Sequence, residues 1–268
     1  MRIYKPIAII LLFLVSCTSK ENNKKDFTSF DGTKIAYTDN GNGELVLLIH
    51  GFIVDGDWNW GKSELKKQLI KQGYRVIIPD LRGNGNSDKP KNENAYKNNA
   101  EVKDLMALID HLEADNYVAV GYSRGAIVLA NLLTKDKRID KAVFGGMGIE
   151  FTNPKWYRRI EFGNVFSGRT EPNEMTRGAV DFAKNLDVNF KIMGYLQDYQ
   201  PETTIAELNN IEVETLVICG DDDLDNGNPK KLQEQLSNSK LSLVSGDHMS
   251  TPFSKDFAES IIEFLNEK

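Results

Sequence analysis

Short runs of consecutive apolar residues recur along the chain, and each run predicts a buried strand. They occupy residues 45–49, 74–79, 117–122, 141–145, 215–219 and 241–244. A nearly continuous apolar run is typical of a strand that is covered on both faces, as in a parallel sheet. A hairpin precedes these runs, because the turn-forming pair Asp31-Gly32 separates residues 27–30 from residues 33–37.

Stretches in which apolar residues recur with a helical period lie between the apolar runs. They cover residues 63–72, 99–112, 124–134, 229–236 and 255–265. Strands that alternate with helices build a mostly parallel sheet with helices on both of its faces. The predicted fold class is therefore α/β, in one domain that spans residues 27–268.

One segment breaks this alternation. Residues from about 150 to 210 hold no good strand pattern but many aromatic side chains. A plain loop of that length is uncommon in a compact domain. We therefore predict a helical insertion at about residues 150–210.

The composition disfavours nucleic acid as a partner. The chain has 268 residues and a formal net charge of −6, with no run of lysine and arginine. Nucleic-acid binding normally needs a basic patch or stripe, so we expect no nucleic-acid partner.

The first residues form a separate segment. Arg2 and Lys5 precede an apolar run at 7–15, and Leu14-Val15-Ser16-Cys17 closes the segment. Nine residues rise only about 14 Å as a helix, too little to cross a membrane. The segment resembles the signal peptide of bacterial lipoproteins, which implies removal of residues 1–16 and lipidation of Cys17. A short uncleaved anchor, or a cysteine placed there by chance, is the alternative.

The resemblance to lipoproteins also implies a location. Acyl chains on Cys17 would hold the protein to a membrane of the bacterial cell envelope. Residues 17–26 are polar and are predicted to form a flexible tether. The only other cysteine, Cys219, lies inside an apolar run and is predicted to be a small core residue.

The best candidate nucleophile is Ser123. It lies in Gly121-Tyr122-Ser123-Arg124-Gly125, between a predicted strand and a predicted helix. A Gly-x-Ser-x-Gly turn in that context presents the hydroxyl on a sharp bend and leaves the next N–H free for an oxyanion. Without partners for the serine, the same pattern describes a tight turn and nothing more.

A serine hydroxyl needs a base, and histidine is the usual one. The chain has three histidines. His111 lies near the end of a predicted helix, where a surface role is expected, and His50 ends a buried strand. His248 follows the last predicted strand, in a loop at the edge where such sheets bind ligands, and is the preferred base.

The carboxylate that orients the base should follow a strand between Ser123 and His248 in the chain. Four aspartates come directly after the run at 215–219, namely Asp221, Asp222, Asp223 and Asp225. Most of them are expected to be solvated. The spacing of these aspartates leaves open which one faces the histidine, and it does not resemble a metal site.

Five landmarks together resemble the α/β-hydrolase fold superfamily, in its lid-bearing esterase and lactonase-like branch. They are His50-Gly51-Phe52, the loop 79–90, the turn 121–125, Gly220 with Asp223, and Gly246-Asp247-His248. The resemblance covers residues from about 27 to the C-terminus. It implies an eight-stranded, mostly parallel sheet flanked by helices, with a helical lid.

The resemblance also implies roles for single residues. Ser123, His248 and Asp223 would form the catalytic triad, and the N–H groups of Phe52 and Arg124 would bind the oxyanion. No cofactor or metal would be needed. Members that open epoxides or remove halides carry an aspartate at the nucleophile position, so Ser123 disfavours both reactions.

Two features around the nucleophile have more than one interpretation. Arg124 stands where the family often has an uncharged residue, and its side chain is expected to reach solvent, to pair with a lid carboxylate or to attract acidic substrates. An apolar substrate pocket is predicted from Ile53, Trp58, Tyr122 and Trp156, with Phe52 and Trp60 as further candidates. Ordinary packing is the alternative for each of these side chains.

The sequence thus predicts a serine hydrolase that cleaves carboxylic ester or lactone bonds of a small, largely apolar substrate. The same scaffold allows carbon–carbon bond hydrolysis, amide hydrolysis or cofactor-free peroxidation. Outside the enzymes, a tethered small-molecule binding protein, or an envelope scaffold whose lid binds another protein, remains open.

Overall fold

The computed structural model describes residues 23–223 and 225–267. The predicted signal peptide, residues 1–16, and the predicted lipidation site, Cys17, lie outside this range. The predicted tether, residues 17–26, lies partly outside it, and its last three residues belong to the first strand. The domain therefore begins earlier than the sequence pattern indicated.

Eight strands form one sheet. They are β1 (Lys24–Thr28), β2 (Lys34–Asn40), β3 (Leu45–Ile49), β4 (Arg75–Pro79), β5 (Tyr117–Tyr122), β6 (Ile139–Gly145), β7 (Glu214–Gly220) and β8 (Ser239–Val244). Their spatial order is β1-β2-β4-β3-β5-β6-β7-β8. β2 pairs antiparallel with β1 and with β4, and every other pair is parallel. This arrangement matches the predicted mostly parallel sheet.

From β3 onward, the α-helices of the described residues alternate with the strands, except in one segment. They are α1 (Glu64–Lys71), α2 (Ala100–His111), α3 (Arg124–Leu133), α4 (Tyr157–Phe166), α5 (Arg177–Asn185), α6 (Phe190–Asp198), α7 (Ile205–Asn209), α8 (Pro229–Gln233) and α9 (Lys255–Asn266). Four of them, α4 to α7, lie between β6 and β7. None of the helices in the described part of the chain is long and apolar enough to cross a membrane.

The continuous apolar runs of the central strands follow from their burial. β3 and β5 are buried at every position, because helices cover both faces of the sheet. Two apolar clusters result, one on each face of the sheet, and Leu47 of β3 belongs to one while Leu48 belongs to the other. Cys219 in β7 is buried, and burial raises the pKa of its thiol to about 12.

A third apolar cluster joins the helices between β6 and β7 to the loop after β3. Phe162 and Phe166 of α4 contact the ring of Phe52, with ring centroids 6.2 and 5.2 Å apart. Helix α4 therefore packs against the loop at the carboxyl end of β3. Ligand sites of open α/β sheets lie at that end.

Candidate active site

Ser123 occupies the turn between β5 and α3 in a strained backbone conformation. Its φ of 53° and ψ of −122° are unfavourable for a residue with a side chain. Such strain costs about 1–3 kcal/mol and persists only where the surroundings enforce it. The enforcing contact is close: a Cβ on Gly125 would lie 2.4 Å from the carbonyl oxygen of Ile49. Glycine at 125 therefore lets the turn lie against β3.

The loops after β7 and β8 bring two further side chains to Ser123. His248 Nε2 lies 2.9 Å from Ser123 Oγ, and His248 Nδ1 lies 2.8 Å from Asp223 Oδ2. With Nδ1–H donating to the carboxylate, Nε2 is left as an acceptor for the serine proton. The Asp223 side chain is only 2% exposed, so little water competes for this hydrogen bond.

The neighbouring aspartates lie elsewhere. Asp221 accepts a hydrogen bond from the N–H of Gly246, and Asp222 is exposed. Asp225 is also exposed and lies 3.6 Å from Arg158. Of the four candidates, only Asp223 forms a hydrogen bond with His248.

The other two histidines have different surroundings. His50 is buried; its Nδ1 donates to the Gly51 carbonyl at 2.8 Å and its Nε2 accepts from the Leu81 N–H at 3.0 Å. Burial lowers its pKa, so the ring is neutral. The exposed His111 stacks on Phe27 at the end of α2, with ring centroids 5.3 Å apart. Neither ring contacts Ser123.

The two residues predicted to bind an oxyanion through their N–H groups, Phe52 and Arg124, line one cavity together with Ser123. Phe52 lies in the loop after β3, and Arg124 is the first residue of α3. Neither N–H group has a hydrogen-bond acceptor among the described residues, and the first N–H groups of a helix are free in any case. The loop that carries Phe52 is fixed by Asn59, whose Oδ1 accepts from the Gly51 N–H at 2.9 Å.

The side chain of Arg124 contradicts two of its three expected placements. It is buried, and it forms a two-point ion pair with Glu101 of α2, at 2.7 and 2.6 Å. It also donates to the carbonyl of Leu196 in α6 at 2.7 Å. The arginine therefore neither reaches solvent nor pairs with a carboxylate of the insertion. Its side chain links α2 and α6 to the start of α3, directly after Ser123.

Two side chains hold the histidine loop through hydrogen bonds that the sequence did not indicate. The hydroxyl of Tyr122, predicted only as a pocket residue, donates to the His248 carbonyl at 2.7 Å. Asn226 Nδ2 donates to the Gly146 carbonyl at 3.1 Å and lies 3.4 Å from both ring nitrogens of His248. No sequence signal marks Asn59, Glu101 or Asn226, because each acts through a partner distant in the chain.

Two cavities meet at Ser123. The larger has a volume of about 420 Å³ and is mostly apolar, and the predicted pocket residues Ile53, Trp58 and Tyr122 line it together with His248. The smaller has a volume of about 50 Å³, and Trp156 lines it. Trp60 lines neither cavity, because it is fully buried against Tyr122.

Metal coordination has no candidate in this part of the molecule. Among residues 23–223 and 225–267, no cluster of three or more histidine, cysteine, aspartate or glutamate residues is suited to hold a metal ion.

The chain is similar to the model of a known protein family and to individual proteins. A family model described as "alpha/beta hydrolase fold" matches residues 44–156. A Synechocystis sp. protein named as a non-heme chloroperoxidase is 29% identical over 249 residues, which are 79% of this chain and 87% of that protein. An epoxide hydrolase of Caballeronia sordidicola is 34% identical over 115 residues, only 43% of this chain and 34% of that enzyme.

The fold is shared with solved structures. The esterase EaEST from Exiguobacterium antarcticum superposes with a TM-score of 0.71 over 90% of this chain and 99% of that one, at 20% identity. With the matching family model and the sheet order, this shows that the chain has the α/β-hydrolase fold. Its relatives carry the names of haloperoxidases, epoxide hydrolases and esterases.

Proposed function

We propose that the protein is a serine hydrolase that cleaves carboxylic ester or lactone bonds. One observation carries this proposal: a single histidine lies 2.9 Å from Ser123 Oγ and 2.8 Å from Asp223 Oδ2. That arrangement turns a poor nucleophile into a reactive one, since the ring accepts the hydroxyl proton and the carboxylate stabilises the imidazolium.

The chemistry proceeds in two halves. Ser123 Oγ attacks the carbonyl carbon while His248 Nε2 takes its proton, and the N–H groups of Phe52 and Arg124 hold the oxyanion. When the tetrahedral intermediate collapses, the alcohol leaves with the proton from His248, and the acyl group stays on Ser123. Water then attacks the acyl-enzyme with His248 again as the base, which releases the acid.

The larger cavity supports a small, largely apolar substrate. Its volume of about 420 Å³ falls in the range of small-molecule sites, and its lining includes Ile53, Trp58 and Phe182. Helices α4 to α6 act in this proposal as the lid that covers the site. The aromatic side chains on both sides would exclude water from the acyl-enzyme until the alcohol has left.

The test is a turnover screen of the full-length chain against esters and lactones of graded chain length. We expect hydrolysis by the wild type and a loss of at least about 10³-fold in kcat for Ser123→Ala. A fluorophosphonate probe should label the wild type and not the variant. Tight ligand binding without labelling would instead indicate a binding protein.

A second candidate is cofactor-free peroxidation, which the Synechocystis relative favours by its name and its long match. Hydrogen peroxide would replace water at the acyl-enzyme and release a peroxy acid. A halogenation assay with peroxide, a short carboxylic acid and bromide decides this. Activity that exceeds ester hydrolysis and disappears with Ser123→Ala would favour the peroxidase.

We also propose that Cys17 is lipidated and anchors the protein in the bacterial cell envelope. This proposal rests on the sequence of residues 1–17 alone. Metabolic labelling with palmitate should mark the wild type and not Cys17→Ala, and the variant should leave the membrane fraction. Equal labelling of both would contradict the proposal.

A further inference from the structure

The smaller cavity beside Ser123 has an unusual lining. Three arginines line it, Arg124, Arg158 and Arg159, and no aspartate or glutamate of the described residues does. Two of the arginines are already paired, Arg124 with Glu101 and Arg159 with Glu202. Arg158 is the exception.

Arg158 forms no hydrogen bond in the described structure. Its guanidinium carbon lies 4.6 Å from the ring centroid of Phe162, in a cation–π contact. The nearest carboxylate oxygen belongs to Asp225, 3.6 Å away, whose side chain is 56% exposed. A loose ion pair at the surface contributes little. Burial lowers the pKa of Arg158 against the opposing effect of Asp225 and Asp223, but an arginine stays charged.

Two further donors in the same lining are unsatisfied. Arg124 Nε and Gln200 Nε2 are buried without a hydrogen-bond partner, and both residues line the small cavity. A buried donor left unpaired costs about 1–3 kcal/mol, so such a group usually meets a ligand or water. A fixed positive charge and two free N–H donors suit an anion.

We propose that Arg158, with Gln200, binds a carboxylate on the acyl side of the substrate. Arg158 also lines the larger cavity, so it stands where the two cavities meet at Ser123. The preferred substrate is then the half-ester of a short dicarboxylic acid, with its apolar alcohol in the larger cavity. Hydrolysis takes up one water and releases the alcohol, the dicarboxylate and a proton. This inference rests on the proposed ester hydrolysis.

The volume sets the length of the acyl group. At about 10–15 Å³ for each water-sized group, a cavity of about 50 Å³ holds roughly three to five non-hydrogen atoms. A succinyl group carries five such atoms beyond its reacting carbonyl carbon, and an adipyl group carries seven. The half-ester of succinate fits, whereas that of adipate does not.

The experiment compares hexyl hydrogen succinate with its neutral isostere, hexyl succinamate, and with hexyl hydrogen adipate, using the full-length chain. A charge-assisted hydrogen bond predicts that kcat/KM is at least about tenfold higher for the succinate half-ester than for either comparison ester. Arg158→Met should reduce the ratio of succinate to succinamate to about one, and Arg158→Lys should retain part of it. The exposed Arg177 of α5 gives the matched control: Arg177→Met should leave the ratio unchanged.

A binding measurement separates this proposal from the proposed function. Calorimetry on Ser123→Ala should show hexyl hydrogen succinate binding at least about tenfold tighter than hexyl succinamate, and Arg158→Met added to Ser123→Ala should abolish the difference. Equal binding and equal turnover of the two esters overturns the carboxylate site and leaves ester hydrolysis standing. A binding preference in a protein whose Ser123 is never acylated supports the carboxylate site and overturns the hydrolase.

Discussion

At the scale of the residue, the clearest result concerns the four aspartates that follow β7, because only one of them forms a hydrogen bond with His248. Asp223 is buried and within hydrogen-bond distance of His248, whereas Asp222, one residue earlier, is exposed. The sequence located the group of acids, and the family resemblance selected Asp223. Neither gave a physical reason, because burial in this loop depends on where β7 and β8 end.

The first prediction concerns that aspartate. In Asp223→Asn the side chain keeps its size but the amide no longer stabilises the imidazolium, and it favours the wrong tautomer of His248. We expect kcat for an ester substrate to fall by about 10³–10⁴-fold with little change in KM. Asp222→Asn is the matched control, and a comparable loss in that variant would contradict the assignment.

At the scale of the element, the sharp turn between β5 and α3 depends on close packing against β3. A Cβ on Gly125 would approach the carbonyl oxygens of Ile49 and His50 at 2.4 and 2.7 Å. Both contacts are with backbone, so relief requires the helix to move away from the strand. The sequence indicated this close packing through the two glycines of the turn, Gly121 and Gly125.

The second prediction follows from that contact. Gly125→Ala should lower the free energy of unfolding by about 1–3 kcal/mol, the usual cost of overpacking, and should displace Ser123 from His248. Denaturant titration and ester turnover measure the two effects. Gly178→Ala in α5 is the control for stability, because a Cβ there has no neighbour within 4 Å. Equal stability in the two variants would count against the packing argument.

The contact between α2 and α3 was not foreseeable from the sequence. Glu101 lies in the first turn of α2 and Arg124 in the first turn of α3, and their side chains are each 4% exposed. The spacing of apolar residues does not predict a buried ion pair, since it assigns both charged residues to the solvent-facing side. Arg124 was therefore expected in solvent or paired with a lid carboxylate, and it is neither.

The third prediction tests this pair. Glu101→Gln leaves the charge of Arg124 buried without its partner, so the free energy of unfolding should fall by about 3–5 kcal/mol. Asp181→Asn removes an acid from an exposed ion pair with Lys184 and should leave the unfolding midpoint unchanged. A denaturant titration of both variants gives the comparison. An unchanged midpoint for Glu101→Gln would show that the pair is not structurally important.

At the scale of the whole molecule, the sequence predicted the framework well and the covering helices poorly. Continuous apolar runs marked the inner parallel strands because burial on both faces favours apolar residues at every position. The edge strand β8 is buried only at Val244, although its apolar residues also predicted a buried strand. Residues 150–210 gave no individual helix boundaries, because short helices that line a cavity carry mixed apolar and polar faces. The antiparallel edge strand also began earlier, at Lys24, where polar side chains concealed it.

The fourth prediction concerns pH and the stability of the fold. Burial lowers the pKa of His50 in the folded chain, so below its ordinary value of about 6.5 the unfolded chain binds a proton that the folded chain does not. His50 should therefore make stability fall as the pH falls, by up to about 1.4 kcal/mol per pH unit. Denaturant titrations between pH 7.5 and 5.5 should show a smaller decline for His50→Gln than for the wild type. Identical slopes in wild type and His50→Gln would contradict the prediction.

The central claim is that Ser123 carries the acyl group during turnover. Rapid acid quenching of the wild type with a 4-nitrophenyl ester, followed by peptide mass spectrometry, tests it directly. The predicted result is a mass increase equal to the acyl group on the peptide that contains Ser123, formed in a burst with the 4-nitrophenolate. Steady hydrolysis of the ester with no adduct, or an adduct on another residue, would contradict it.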